Sequence, residues 1–119
     1  MRSKYSVSDT EWEVLNMLWT HGEAVKQSQL LAMAEEKGKK WKRQTLNTFL
    51  FRLEEKGLIR REHARAMPLY SEEEYRALLM RESIDNLYGG KFSNLLASFM
   101  RQNVLSKEEL EELQQLLDK

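Results

Sequence analysis

The stretch Lys42–Glu62, KRQTLNTFLFRLEEKGLIRRE, sets two patterns back to back. Leu46, Phe49, Leu50 and Leu53 recur at i, i+3, i+4 and i+7, the spacing of one apolar helical face. Turned by about 100° per residue, Gln44, Asn47, Thr48, Phe51 and Arg52 spread around the other side. Gly57 ends the helical pattern and Leu58-Ile59 opens a short extended run. The stretch therefore predicts a helix held to a core by one face, with amides, hydroxyls and a guanidinium left on the other.

Upstream, Ser8 followed by Glu11 has capping-box spacing. Trp12, Leu15, Leu18 and Trp19 then recur at helical intervals until His21-Gly22. A second helix is predicted from about Lys26 to Lys37, burying Leu30, Leu31 and Ala34 and stopping at Gly38. The third runs from near Lys42 to Gly57. Downstream, Leu58-Ile59 and Leu69-Tyr70 read as the ends of two short strands, with HARAMP as a charged hairpin tip. Pro68 lacks a ladder donor and belongs on an edge or just outside the pairing. Three helices followed by a hairpin is the winged helix-turn-helix order, so the fold class is mainly α with a winged-helix domain. In that order the third helix is the one that enters a DNA major groove.

Charge supports the placement. The chain has 19 basic and 19 acidic side chains, but residues 1–71 hold 13 and 9 (a balance of +4) and residues 72–119 hold 6 and 10 (a balance of -4). The basic excess concentrates in KGKKWKR, Lys37 to Arg43, and at Arg60, Arg61 and Arg65, on both sides of the third helix. Lys40, Lys42, Arg43 and Arg65 are the candidate phosphate contacts. Gln44, Asn47, Thr48 and Arg52 are the candidate readers of bases and backbone: amides fit adenine edges, Thr fits a phosphate, base edge or thymine methyl, and Arg fits guanine or phosphate. Because strand residues alternate faces, at most one of Arg60 and Arg61 points at DNA. Phe51 fits either a thymine methyl or sugar, or packing under the wing or against Trp41.

Beyond Ser71 three more amphipathic helices are predicted. One starts around Glu72 and carries Leu78, Leu79, Ile84, Leu87 and Tyr88. After a break at Gly89-Gly90 the next carries Phe92, Leu95, Leu96, Phe99 and Met100. The last opens with the capping box Ser106 to Glu109 and carries Leu110, Leu113, Leu116 and Leu117. So short a segment cannot bury that much apolar surface alone, and a second copy of the chain is the economical cover. The expected organisation is a DNA-binding domain over 1–71 and a dimerisation segment over 72–119. Leu87, Phe92, Leu95, Leu96, Phe99, Leu110, Leu113 and Leu117 are the candidate dimer contacts.

Other functions find little support. There is no cysteine, so disulfides and thiolate metal sites are excluded. His21 and His63 have no second ligand at metal spacing, and YGGK (Tyr88–Lys91) lacks the rest of a phosphate loop, so neither a catalytic residue, a metal nor a cofactor is expected. The N-terminus lacks the apolar core of a signal peptide and no apolar run reaches the roughly 20 residues of a membrane span, so a cytoplasmic protein without membrane insertion is expected. The alternative from another class is a winged-helix protein–protein interaction module without DNA binding. The basic loop beside an amide- and hydroxyl-rich face favours DNA.

SDTEWEVLNMLW (8–19), QTLNTFLFRLEEKGLI (44–59), YSEEEY (70–75), LYGGKFSNLLASF (87–99) and LSKEELEELQQLL (105–117) together resemble the bacterial penicillinase repressor and methicillin-resistance repressor family, from about Val7 to Leu117. The resemblance implies a homodimer of winged-helix domains that binds a palindromic operator and represses β-lactamase-type antibiotic resistance genes. It also implies relief by proteolysis, through a membrane sensor protease system, within the dimerisation segment. Carried over by position, it puts Gln44, Thr45 and Thr48 where the family meets operator bases and phosphates, and Arg52 at a retained basic position. Arg43 stands where some members have proline, and Asn47 and Phe51 replace more usual residues. The aligned scissile bond joins Ser98 to Phe99, with Ser98 where members commonly have asparagine. A copper-responsive branch ends in metal-binding cysteine pairs, which this chain lacks.

Overall fold

A computed structural model describes residues 3–119. The element order is α1 (Asp9–His21), β1 (Val25–Lys26), α2 (Gln27–Glu36), α3 (Arg43–Glu55), β2 (Ile59–Glu62), β3 (Arg65–Pro68), α4 (Glu72–Tyr88), α5 (Phe92–Arg101) and α6 (Lys107–Leu117). The fold is a mainly α winged helix-turn-helix followed by further helices. Local chemistry sets the boundaries. Ser8 Oγ accepts from Glu11 N–H at 3.1 Å while Glu11 Oε1 accepts from Ser8 N–H at 2.8 Å, closing the predicted capping box. Gly22 takes the left-handed conformation (φ 81°) that ends α1.

The first compact unit, which ends at Glu82, closes its own core. Val14, Leu15, Met17 and Leu18 of α1 meet Leu30 and Ala34 of α2, and Leu46, Leu50 and Leu53 of α3. Val25, Leu58, Ile59 and Ala66 seal the sheet side. Leu31 and Phe49 pack against this core from its margin. Each fully buried leucine contributes roughly 1.5–3 kcal/mol.

The wing differs from the predicted hairpin in three ways. It has three strands in the order β1-β3-β2, both pairs antiparallel, because Val25-Lys26 lies against Ala66 and Arg65. A two-residue strand between helices leaves almost no periodicity in sequence. The turn is only His63-Ala64, both at positive φ (52° and 61°), so Arg65, Ala66 and Met67 belong to β3 and not to the tip. Leu69 and Tyr70 follow β3 rather than ending it, although Leu69 N–H still donates to Leu58 O at 2.9 Å. That bond makes Ile59↔Pro68 a non-hydrogen-bonded pair, so the proline nitrogen is directed away from β2, beyond the reach of two-residue β1.

The compact units divide within α4, between Glu82 and Ser83, later than the boundary expected after Ser71. The first turns of α4 belong to the first core. Tyr75 is buried there, its hydroxyl donates to Tyr5 O, and its ring lies 5.9 Å from both Trp12 and Trp19. Glu82 accepts from Ser3 Oγ and from the backbone N–H groups of Lys4 and Tyr5. The second unit, Ser83–Lys119, buries only Ile84 among its residues, and α5 and α6 bury none. Gly89 and Gly90, both at positive φ, separate α4 from α5 as expected. Asn103 (φ 55°) ends α5, with Val104 N–H donating to Phe99 O at 3.0 Å.

Candidate nucleic-acid interface

The outward face of α3 is assembled by three anchors. Leu46, Leu50 and Leu53 fix the inner face. At the entrance, Trp41 packs edge-on against Phe49 with ring centroids 5.2 Å apart, and Lys39 Nζ reaches Glu13 at 2.9 Å. The basic loop is thereby pinned to α3 by an aromatic pair and to α1 by an ion pair. At the exit, Lys56 Nζ donates to Glu11 Oε1 at 2.8 Å. Burial raises the Glu11 pKa, but the Lys56 hydrogen bond, the Ser8 bonds and the Lys56 charge outweigh it, and the carboxyl stays below its ordinary value. It is held ionised beneath the helix end.

With those anchors in place, Lys40, Lys42, Arg43, Gln44, Asn47, Thr48 and Arg52 are all exposed, and Thr45 is half-buried on the flank of α3. Lys42 is the N-cap of α3 and makes no side-chain cap bond; the first turn carries no acidic residue. Its N–H groups, with Lys40, Lys42 and Arg43 around them, form a positive entrance suited to a phosphate. Lys40, Lys42, Arg43, Arg52 and Arg65 take part in none of the ion pairs seen among the described residues. Thr48 Oγ1 donates back to Gln44 O at 3.0 Å, which leaves its oxygen lone pairs and methyl group outward.

Arg65 opens β3 opposite Glu62 and Lys26 and is exposed. The wing's other two arginines separate as strand alternation requires. Arg60 is exposed beside Glu62 at 3.4 Å, whereas Arg61 turns inward to Glu54 and Asn47 of α3. Phe51 does not meet Trp41, whose partner is Phe49; it stands half exposed on the outer face. In the sequence Arg61 is weighed only as a possible DNA-facing charge and Glu54 is not singled out, yet the two meet on the flank of α3. Their signal, Asn47 and Glu54 seven residues apart, becomes legible only once the register of β2 is known.

In the second unit Phe92, Leu95, Leu96, Phe99, Leu113 and Leu116 line an apolar groove of about 320 Å³ together with Leu105, Glu109 and Glu112. Leu87 and Leu117 are 73% and 70% exposed, and Leu110 is also exposed. Ser98 and Phe99 are half-buried in the third turn of α5. Among the described residues no acidic, histidine or cysteine cluster could hold a metal, and no helix is long and apolar enough to cross a membrane.

Known proteins share much of this sequence. The chain is 30% identical to the methicillin resistance regulatory protein MecI of Staphylococcus aureus (strain N315) over 97% of its own length and 95% of that protein's. It is 27% identical to the penicillinase repressor of Staphylococcus aureus, covering 94% of this chain and 90% of the relative. For the penicillinase repressor of Bacillus licheniformis the identity is 25%, over 99% and 94%. These relatives are named as regulators and repressors, not as enzymes. The sequence model described as "Penicillinase repressor" matches residues 7–119, all but the first six positions, and the chain belongs to that family.

Proposed function

We propose that this protein is a homodimeric transcriptional repressor that binds a two-fold symmetric DNA operator, with α3 in the major groove of each half-site. The observation that carries the reading is the α3 face: an uncapped basic N-terminus, then exposed Gln44, Thr48 and Arg52 in successive turns, with Arg65 on the wing alongside. Lys40, Lys42, Arg43 and Arg65 anchor phosphates; Gln44, Asn47, Thr48 and Arg52 meet bases or backbone, and Thr45 meets the backbone from the flank. By the names of its relatives, the regulated genes belong to the β-lactam resistance class.

The second unit supplies the two-fold. A second copy packed on the α5–α6 groove would cover Phe92, Leu95, Leu96, Phe99 and Leu113, with Leu87, Leu110 and Leu117 at the margins. Induction by a sensor protease system would cut Ser98–Phe99 and divide that groove. The test is binding to a randomised DNA duplex library. Gln44→Ala or Thr48→Ala should relax preference at one or two positions of each half-site, each contact worth roughly 1–3 kcal/mol, while Lys42→Ala weakens all sequences alike. If both kinds of variant only scale affinity uniformly, α3 does not read the site.

A further inference from the structure

One arginine of the wing serves α3 instead of solvent. Arg61 of β2 places Nη2 3.0 Å and Nε 3.3 Å from Glu54 Oε1, and Nη1 2.7 Å from Asn47 Oδ1. Asn47 and Glu54 lie two turns apart on the flank of α3 that meets the wing, so one guanidinium spans both. Its side chain is 20% exposed, while Asn47 is exposed. A guanidinium is donor-only, so the Asn47 atom facing it is the carbonyl oxygen. Chemistry, and not fit alone, fixes which way the carboxamide points.

The geometry points to Arg61 as a positioning residue for base recognition: by holding the Asn47 oxygen, it directs the amide N–H2 outward and makes Asn47 a hydrogen-bond donor selective for acceptor-bearing base edges. The inference rests on the DNA-binding reading of α3. An unrestrained asparagine can grip adenine with both its oxygen and its nitrogen. Here an adenine N6 or cytosine N4 amine would have to share Oδ1 with a cation, on the one lone pair Arg61 leaves, and against the positive charge of the guanidinium. The charge-assisted bond also polarises the amide and strengthens its N–H as a donor. Guanine O6 and N7, and thymine O4, suit such a group best; adenine N7 also accepts, but its neighbouring N6 amine is then brought toward the guanidinium-bound Oδ1. Glu54 completes the device by neutralising Arg61, so the wing does not carry that charge to a phosphate.

Selection from a duplex library randomised across two half-sites reads this directly, using the full chain. Wild type should prefer guanine or thymine over adenine and cytosine at one position per half-site, by roughly tenfold. Asn47→Ala, on an exposed helical surface, should flatten that position and no other. Arg61→Ala should shift the same position toward adenine, and Arg61→Lys, which cannot span both partners, should do so in part. The double variant should match Asn47→Ala alone. A wild-type preference for adenine there, or an Arg61→Ala variant that weakens every sequence equally, overturns the assignment. Should Arg61→Ala fail to fold, an Asn47→Ala variant with wild-type preferences overturns it independently. A wild type that enriches no sequence at all overturns the DNA-binding reading and this inference together; enrichment without an Asn47-dependent position overturns this inference only.

Discussion

The two compact units spend similar apolar residues on different ends. In the first, Leu15, Leu18, Leu30, Leu50 and Leu53 are fully buried, and Glu11 and Lys56 are paired at its edge. In the second, α5 and α6 have clean amphipathic stripes and bury nothing completely; Phe92 is 52% and Leu116 64% exposed. Helices with such stripes form stable structure only when the stripe is covered. The first unit is therefore self-sufficient, whereas the stripes of the second lie open in the single chain, as the proposed cover by a second copy requires. The difference fits a molecule in which one part grips DNA and the other sets how two grips are joined.

The largest effect should come from dividing the second unit. Two half-sites bound by a linked dimer gain from effective concentration, a factor of roughly 100 to 10,000. Cutting between Ser98 and Phe99 separates Phe99 and the whole of α6 from Phe92, Leu95 and Leu96. The fragment ending at Ser98 should bind operator weaker by about that factor while its tryptophan fluorescence stays native, since Trp12, Trp19 and Trp41 all lie in the first unit. Equal affinity of fragment and full chain on one operator would remove cleavage as a route to induction. Leu96→Asp, which puts an unpaired charge into the groove, should likewise give a monomer in sedimentation with the first unit folded.

Within the first unit the scale falls. Leu50→Ala removes a fully buried side chain between α3 and the core and should cost about 2–5 kcal/mol in denaturant unfolding. Leu117→Ala, mostly exposed in the single chain, should change the unfolding of the first unit by less than about 0.5 kcal/mol. A large effect of Leu117 on that transition would mean that the units do not unfold separately.

Acid offers a finer probe of the same unit. Glu11 is held below its ordinary value of 4.5 in the folded state. Such a group contributes stability above its unfolded pKa, and the contribution is lost as pH falls through the lower, folded value. Lys56→Met leaves burial unopposed by the ammonium, so the Glu11 pKa should rise, with a loss of roughly 1–3 kcal/mol at neutral pH that narrows as the carboxyl protonates. A variant whose deficit is the same at pH 7 and in acid would show that Glu11 is not the group concerned.

Legibility in sequence follows the same division of physics. α1 and α6 were readable because each joins an apolar period to a local cap, and Ser8–Glu11 and Ser106–Glu109 form as spaced; α3, without an N-terminal side-chain cap, was readable from its apolar period and the stop at Gly57. The exposed polar face of α3 was readable for the same reason, since it is the complement of Leu46, Leu50 and Leu53. β1 was not, because two residues paired across a long sequence separation carry no period of their own. Nor was the role of Arg61: the inward or outward choice at Arg60 and Arg61 is set by strand register, which the His63-Ala64 turn fixes. The unit boundary moved past Ser71 because Tyr75, one aromatic on an otherwise charged opening turn, reaches the Trp12–Trp19 pair.

The smallest expected effect lies at the wing. Arg65 is exposed, in none of the ion pairs seen among the described residues, and placed at the start of β3 directly after the His63-Ala64 turn. Its neighbour Arg60 is paired with Glu62, and Arg61 is held by Glu54, so of the three wing arginines Arg65 alone keeps an uncompensated charge for a phosphate. Arg65→Ala should lower the slope of log affinity against log salt by about 0.9 for each phosphate released, without altering which sequences are selected. Arg60→Ala should change the slope much less. Titration of one operator across a range of salt concentrations separates the two variants. An Arg65→Ala protein with the wild-type slope would place the wing off the DNA and leave α3 and its basic entrance as the whole interface of the first unit.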